Sequence, residues 1–332
     1  MYFHGKKVLV TGGAGFIGSN LVDRLVNENA EVMVLDDLFT GRVENIKNFN
    51  KITFINGTVT NESLVNHLVK QVDVVFNLAV RNIIVSPKQP SEDFAVNALG
   101  TFHILNAALK SKVERVVYTS SASVYGNPRH LPVCEDDLPC ILTPYAASKM
   151  SGENYCCAYY EMYDLPVAVL RYSNAFGISQ SPTNPYCGVV SKFFNALMNN
   201  QPLRIFGDGA QTRDFTFVSD VVDATLLAAQ SPKAVGEVFN VATGIETSVQ
   251  QLASLIMRVV REFPDPDHVE KRDIDTIRRR VLNVEKIRQK LHWSPSTSLF
   301  EGLRKTYEWL CEVREINPEN VVFKDTVKKR IR

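Results

Sequence analysis

A short apolar strand running into glycines three apart constrains this chain more than any other feature. Lys7-Val8-Leu9-Val10-Thr11 leads into Gly12-Gly13-Ala14-Gly15-Phe16-Ile17-Gly18, and apolar residues at helical spacing follow at Leu21, Val22, Leu25 and Val26. That order is strand, tight turn, helix N-terminus. Gly12 permits the turn, Gly15 lets the main chain approach a pyrophosphate, and Gly18 lets the helix lie close to the sheet. The amides at the helix start then face a doubly negative ligand. A second strand, Val32-Met33-Val34-Leu35, ends at Asp36 and Asp37, near the offset at which a carboxylate holds a ribose diol. The two features together predict a dinucleotide site. Asp36 favours NAD over NADP, because a carboxylate repels a 2′-phosphate; Arg42 leaves NADP open.

Composition narrows the remaining classes. With 332 residues the chain has room for one large or two modest domains. A net charge of +1 gives no whole-chain case for nucleic acid or an anionic membrane as partner. No apolar run is long enough to span a bilayer, and the first strand leaves no room ahead of it for a signal peptide, so the expected setting is cytoplasmic. The six cysteines (Cys134, Cys140, Cys156, Cys157, Cys187 and Cys311) contain no Cys-x-x-Cys, and the six histidines are scattered. Neither a metal site nor a disulfide scaffold is expected.

Further strands are read at Ile52–Ile55, Asp73–Ala79, Val113–Thr119 and Val167–Tyr172. Helices are read at Asn61–Lys70, Phe94–Leu109 and Tyr145–Tyr163. This alternation predicts an α/β fold: a doubly wound, mostly parallel sheet with strand ends on one edge, where the ligand crevice lies. After about residue 175 the pattern changes. The reading there is a loop (Ile178–Gly188), a helix (Val189–Met198), a strand (Leu203–Phe206), then Phe215–Val218 entering a helix capped by Ser219 or Asp220. A strand at Glu237–Val241, a helix opening at Thr247 and a closing helix at Leu299–Leu310 follow. The expected domains are 1–177 for the dinucleotide, with 214–243 returning to it, and a smaller α/β substrate-binding region from 178–213 and 244–316. Residues 317–332 form a basic, solvated tail.

Tyr145 and Lys149 are four apart at a helix start and share one face. A free tyrosine, with a pKa of about 10, is a poor base at neutral pH. A neighbouring ammonium favours the phenolate, as does the positive ring of an oxidised nicotinamide. Ser120, Ser121 and Ser123 lie at the end of the preceding strand, where a hydroxyl can hold a substrate oxygen beside the phenol. Base, positioning donor and cofactor anchor together suit oxidation of an alcohol to a ketone.

With these pieces the chain resembles the extended short-chain dehydrogenase/reductase family, in its NAD-dependent sugar-nucleotide epimerase/dehydratase branch, and most closely UDP-glucose 4-epimerase-like members. The resemblance runs from about Lys7 to Tyr307. It rests on Thr11–Gly18, Asp36–Gly41, Asn77-Leu78-Ala79, Asn97, Thr119–Gly126, Pro144-Tyr145-Ala146-Ala147-Ser148-Lys149, Leu170–Asn174 and Arg213–Val218. It implies a Rossmann fold, NAD, a nucleotide-diphosphate sugar (UDP-linked) and a homodimer formed by the helices around Phe94–Leu109 and Tyr145–Tyr163. It also implies site roles. The cofactor residues are Gly12, Gly15, Phe16, Ile17, Gly18, Asp36, Leu78, Ala79, Asn97, Tyr145 and Lys149. Ser121 orients substrate, Tyr145 is the base and Lys149 the ribose ligand. Asn174 and Arg213 hold the diphosphate, and Ser123 joins the substrate side. The implied reaction is 4-epimerisation through a transient 4-keto sugar that rotates about its diphosphate link.

Rival reactions stay open: a dehydratase, a uronate decarboxylase, a 4-reductase, or an NAD-binding protein without turnover. Dehydratases of the family typically carry Asp-Glu where this chain has Ala122-Ser123, which weakens that rival because alanine transfers no proton. Other departures bear on substrate. Val80-Arg81 stands where Ala-Gln is usual, Gly57-Thr58 where Gly-Asp is usual, and Ile178-Ser179 where Pro-Arg is usual. Lys271–Asp275 replaces a glycine-containing loop, leaving Arg272 as the phosphate ligand there, and the position that gates sugar size falls near Arg280. Arg81 and Arg280 on the substrate side suggest a charged sugar, since a buried guanidinium needs a partner. The plainer reading pairs Arg81 with Glu92 or Asp93, or with cofactor phosphates, and leaves Arg280 at the surface.

Overall fold

The computed structural model describes residues 2–182, 184, 188–260, 266–271 and 277–315. Its centre is a seven-stranded sheet: β1 (Lys7–Thr11), β2 (Glu31–Asp36), β3 (Thr53–Asn56), β4 (Val74–Asn77), β5 (Arg115–Ser121), β6 (Val167–Tyr172) and β7 (Glu237–Val241). The spatial order is β7-β6-β5-β4-β1-β2-β3, with every pairing parallel. The order reverses at β1, which lies between β4 and β2, so a crevice opens beyond the carboxyl ends of β1 and β4.

Alternate residues of each strand serve opposite faces. Val8 and Val10 join a core with Leu21, Val22 and Leu25 of the helix Phe16–Asn27 and with Val221 and Val222 of the helix Val218–Gln230. Leu9, Val75 and Val116 join a second core with Ile104 and Leu105. Burial on both faces explains why these strands read as unbroken apolar runs. The first core continues into the smaller region through Phe193, Phe194, Leu252, Leu303 and Tyr307, so that region is packed onto the sheet by one uninterrupted apolar mass.

Local chemistry sets the ends of the site-bearing helix. Pro144 occupies the first turn of Pro144–Tyr163, the Thr143 hydroxyl accepts from Ala146 N at 3.1 Å, and Asp164 leaves in a left-handed conformation. The expected cap at Ser219 or Asp220 is corrected: the helix begins at Val218 with no side-chain cap. Asp220 instead is buried and accepts from Ser296 N, Ser296 Oγ and Thr297 N, tying the loop ahead of the helix Leu299–Val313 to this helix. The helix read at Phe94–Leu109 begins earlier, at Pro90, and passes through a wide π-type turn at Phe94–Leu99 before Gly100–Ser111. Thr247–Ser248 is a short strand against Thr212–Arg213, and the helix starts at Val249. Among the described residues no helix is long and apolar enough to cross a membrane. Arg272, Cys187 and the basic tail lie outside the described residues.

Candidate functional site

Where β1 ends, the glycines form a cradle with no room for side chains. Gly12 has φ +70°, and a Cβ on it would lie 2.8 Å from the main chain of Leu78 and Ala79; one on Gly18 would lie 2.1 Å from Gly12 O. The helix start at Phe16 and Ile17 therefore abuts the turn, as an anion site requires. Two adjoining hollows share Gly12, Gly15 and Leu78 in their walls. One lies between Asp36, Gly57, Thr58 and Arg81; the other runs past Ile17 to Ser121, Tyr145 and Lys149. A dinucleotide fits this shape, its adenosine half beneath Asp36 and its nicotinamide half toward Tyr145. Asp36 is set for a diol: its carboxylate accepts from Ala14 N (2.9 Å) and Leu38 N (2.8 Å), which fixes its orientation. Burial nevertheless pushes it above the ordinary aspartate value.

Two expected ligands have other placements. Arg81, expected on the substrate side, lies at the adenosine end: its Nη2 is 2.8 Å from Asp37, its guanidinium stacks 4.1 Å from the Phe39 ring, and Glu92 is 3.8 Å away. The loop after β2 supplies the partners, so neither the sugar-side placement nor Asp93 as partner holds. Asn97, expected at the cofactor, spends its amide on the chain: it accepts from Arg81 N, and donates to Arg81 O, Asp93 and Ser148 Oγ. It acts on the cavity only through the segment it fixes.

At the other end, Ser121 lines the same hollow as Tyr145 and accepts from Ser123 N at 3.1 Å, while the two serine hydroxyls are also 3.1 Å apart. Lys149 is 2% exposed, with its ammonium 4.5 Å above the Tyr118 ring. Burial dominates both titrations. It pushes Tyr145 up to about 12, with Ser121 and the charge of Arg280 pulling the other way, and brings Lys149 down to about 8. For Tyr145 desolvation outweighs the groups that favour the phenolate, so a cationic ligand beside the ring would lower it further.

The substrate side is basic. Asn174 lies on a short strand (Asn174–Phe176) paired with Phe215–Phe217. Arg213 donates to Thr212 O (2.7 Å) and Ile277 O (3.1 Å). Arg280 is buried, not at the surface, and reaches Ala122 O and Asn174 Oδ1, each at 3.4 Å.

A buried polar network under Tyr145 and Lys149 escaped the sequence reading. Glu153 sits one turn beyond Lys149 and takes Arg171 through both oxygens, the closest contact being 2.7 Å. It also accepts from Ser120. Arg171 continues to Tyr125 OH (2.8 Å), which donates to Asn240. Glu153 counters the desolvation of Lys149. The available signal was Arg171, a charge inside an otherwise apolar strand.

This geometry has close parallels. Residues 8–242 match the model of the NAD dependent epimerase/dehydratase family. A UDP-glucose 4-epimerase of Mycolicibacterium smegmatis is 40% identical over 309 residues, covering 91% of this chain and 98% of that one. A UDP-N-acetyl-alpha-D-glucosaminuronate decarboxylase of Bacillus cytotoxicus is 33% identical over 321 residues, covering 93% and 98%. The crystal structure of a Thermotoga maritima UDP-glucose 4-epimerase with UDP-glucose superposes with a TM-score of 0.89 at 34% identity, covering 93% of this chain and 99% of that one. Matched across its whole nucleotide-binding sheet, and alike in fold to its relatives almost from end to end, this chain belongs to the NAD-dependent epimerase/dehydratase family, and its cofactor is NAD.

Proposed function

We propose that the protein catalyses NAD-dependent 4-epimerisation of a nucleotide-diphosphate sugar, a UDP-hexose or a close relative, through a transient 4-keto sugar. The observation that carries this reading is that Ser121, Tyr145 and Lys149 line one cavity together with the glycine cradle. When bound, NAD supplies a reversible hydride acceptor. The chain's residues do the rest. Tyr145 takes the proton of the 4-hydroxyl and returns it, Ser121 orients that oxygen, and Lys149 donates to the cofactor ribose while its charge favours the phenolate. Asn174 and Arg213 hold the diphosphate as hydrogen-bond donors to its oxygens.

Anchoring at the nucleotide leaves the sugar free to turn, which epimerisation needs. At the residues after Ser121, Ala122 is buried and Ser123 is bonded to Ser121. No acid pair is there to expel water, and this favours epimerisation over dehydration. The test is incubation of the holoprotein with a panel of nucleotide sugars without added reductant, followed by product separation. Interconversion of C4 epimers with no net cofactor change is the expected result. Loss of water or carbon dioxide reassigns the reaction, and no keto-sugar chemistry on any member leaves a binding protein.

The same reading includes a homodimer. On these two helices Leu105 and Tyr159 are buried within the chain itself, whereas Tyr155, Met162 and Tyr163 of one helix and Phe94 and Leu99 of the other are exposed. Light scattering on the eluting protein tests it, a monomer mass overturning the dimer.

A further inference from the structure

Four arginines are buried among the described residues: Arg81, Arg115, Arg171 and Arg280. Three have close acceptors. Arg81 meets Asp37 at 2.8 Å, Arg171 is forked onto Glu153, and Arg115 donates to Ala228 O at 2.7 Å and Ser231 O at 3.0 Å. Arg280 is the exception. It is 8% exposed, and its guanidinium has two acceptors, both neutral and both at 3.4 Å, the far limit of hydrogen bonding. Its charged neighbour Arg213 repels it. The nearby carboxylate, Asp214, is spent on Thr243 N, Thr243 Oγ and Gly244 N. Burial accordingly brings Arg280 down to about 9. A desolvated guanidinium held this loosely lacks the anion that makes such burial tolerable.

The position of the gap indicates which anion fits. One acceptor is the carbonyl of Ala122, the residue after Ser121, and Tyr145 is a favourable electrostatic neighbour. Arg280 thus stands behind the strand end that carries Ser121, close enough to Tyr145 for their charges to interact, on the side where the sugar carbon under the phenol lies in the reading above. In a hexose, C6 is carried by C5, next to C4, so an acid group at C6 stands beside the reacting carbon. Guanidinium and carboxylate match as a planar fork; a hydroxymethyl group leaves the charge with its two distant neutral acceptors.

We propose that Arg280 is a specificity-determining residue that binds a carboxylate on the sugar beside the reacting carbon, so that the preferred substrate is a nucleotide-linked uronic acid. This rests on the nucleotide-sugar reading of the site. The test uses the NAD-loaded protein with UDP-glucuronate and UDP-glucose, measuring substrate consumption whatever the product, together with binding of UDP itself. The variants are Arg280→Gln and Arg280→Lys. The wild-type protein is expected to favour the uronate in kcat/KM. Arg280→Gln is expected to lower the uronate-to-neutral ratio by about 10- to 100-fold, as loss of a charge-assisted pair does, and Arg280→Lys to recover part of it. A wild-type preference for UDP-glucose overturns the proposal. So does an equal loss on both sugars, which assigns Arg280 to the diphosphate or to the phenol. If UDP and both sugars fail to bind at all, the nucleotide-sugar reading itself falls; binding of UDP with no preference for the uronate sinks this proposal alone.

Discussion

The two ends of the crevice treat a buried charge in opposite ways. At the adenosine end Arg81 is locked between Asp37 and Phe39, and Asn97 holds its main chain on both sides. At the reacting end Lys149 and Arg280 are as deeply buried without a close anion, and each is brought below its ordinary value by desolvation. In the proposed reaction the difference follows from what each end handles. A cofactor regenerated in every turnover can be met by a finished surface, whereas a sugar that must lose a proton, turn and regain it is better met by groups whose charges are settled only when ligand arrives. On that proposal the reacting end carries the instability that function requires.

The sharpest way to break this contrast is Tyr145→Phe. Removing the proposed base is expected to lower kcat by about 10²- to 10⁴-fold while NAD stays bound, read by single-turnover assay and cofactor titration. A loss under tenfold would mean that the reacting end does not work through this phenol.

Next come opposite effects on stability. Lys149 has a folded value of about 8 against an ordinary 10.5, so the folded protein binds that proton less tightly than the unfolded chain. The burden is complete below pH 8 and disappears as pH rises past 10.5. Lys149→Met is accordingly expected to stabilise the apoprotein by up to about 3 kcal/mol at pH 7, with the advantage shrinking above pH 8. Arg81→Met, in contrast, leaves Asp37 without its cation and is expected to cost about 1–3 kcal/mol. Thermal unfolding of the cofactor-free variants decides this, and a shift of both in one direction would erase the distinction between the ends.

The cofactor half of the molecule was legible because its constraints are local. A turn needing φ +70° at Gly12, a helix start at Phe16 and a carboxylate after β2 each leave a mark within a few residues. Tyr145 and Lys149 were legible because one helix turn joins them. What stayed hidden depends on chain that is distant in sequence. The Arg81–Asp37 pair spans 44 positions and Arg280–Ala122 spans 158, so Asp37 was not among the partners read for Arg81, although Glu92 was, and the choice between a buried and a surface Arg280 stayed open. The burial that raises Tyr145 stayed hidden for a related reason: a neighbouring charge is visible in a heptad of sequence, whereas desolvation is a property of everything packed around the ring. Asp220 shows the same limit, a good cap by position that the fold spends on Ser296 and Thr297.

The smallest expected effect tests whether the two ends are independent. Phe39 is 39% exposed and touches the adenosine end through its face, with the Arg81 guanidinium 4.1 Å above it. An exposed stack of this kind is worth about 0.5–1 kcal/mol, so Phe39→Leu should weaken NAD binding by about 2- to 5-fold. Asp37 still pairs Arg81 in that variant, and nothing in the contact joins Phe39 to Tyr145 or Ser121. The kcat at saturating cofactor should therefore hold, and so should the pH at which activity falls. If kcat drops along with affinity, the loop after β2 is coupled to the phenol through Arg81, Asn97 and Ser148, a hydrogen-bonded chain that leads from the adenosine end to the helix carrying Lys149.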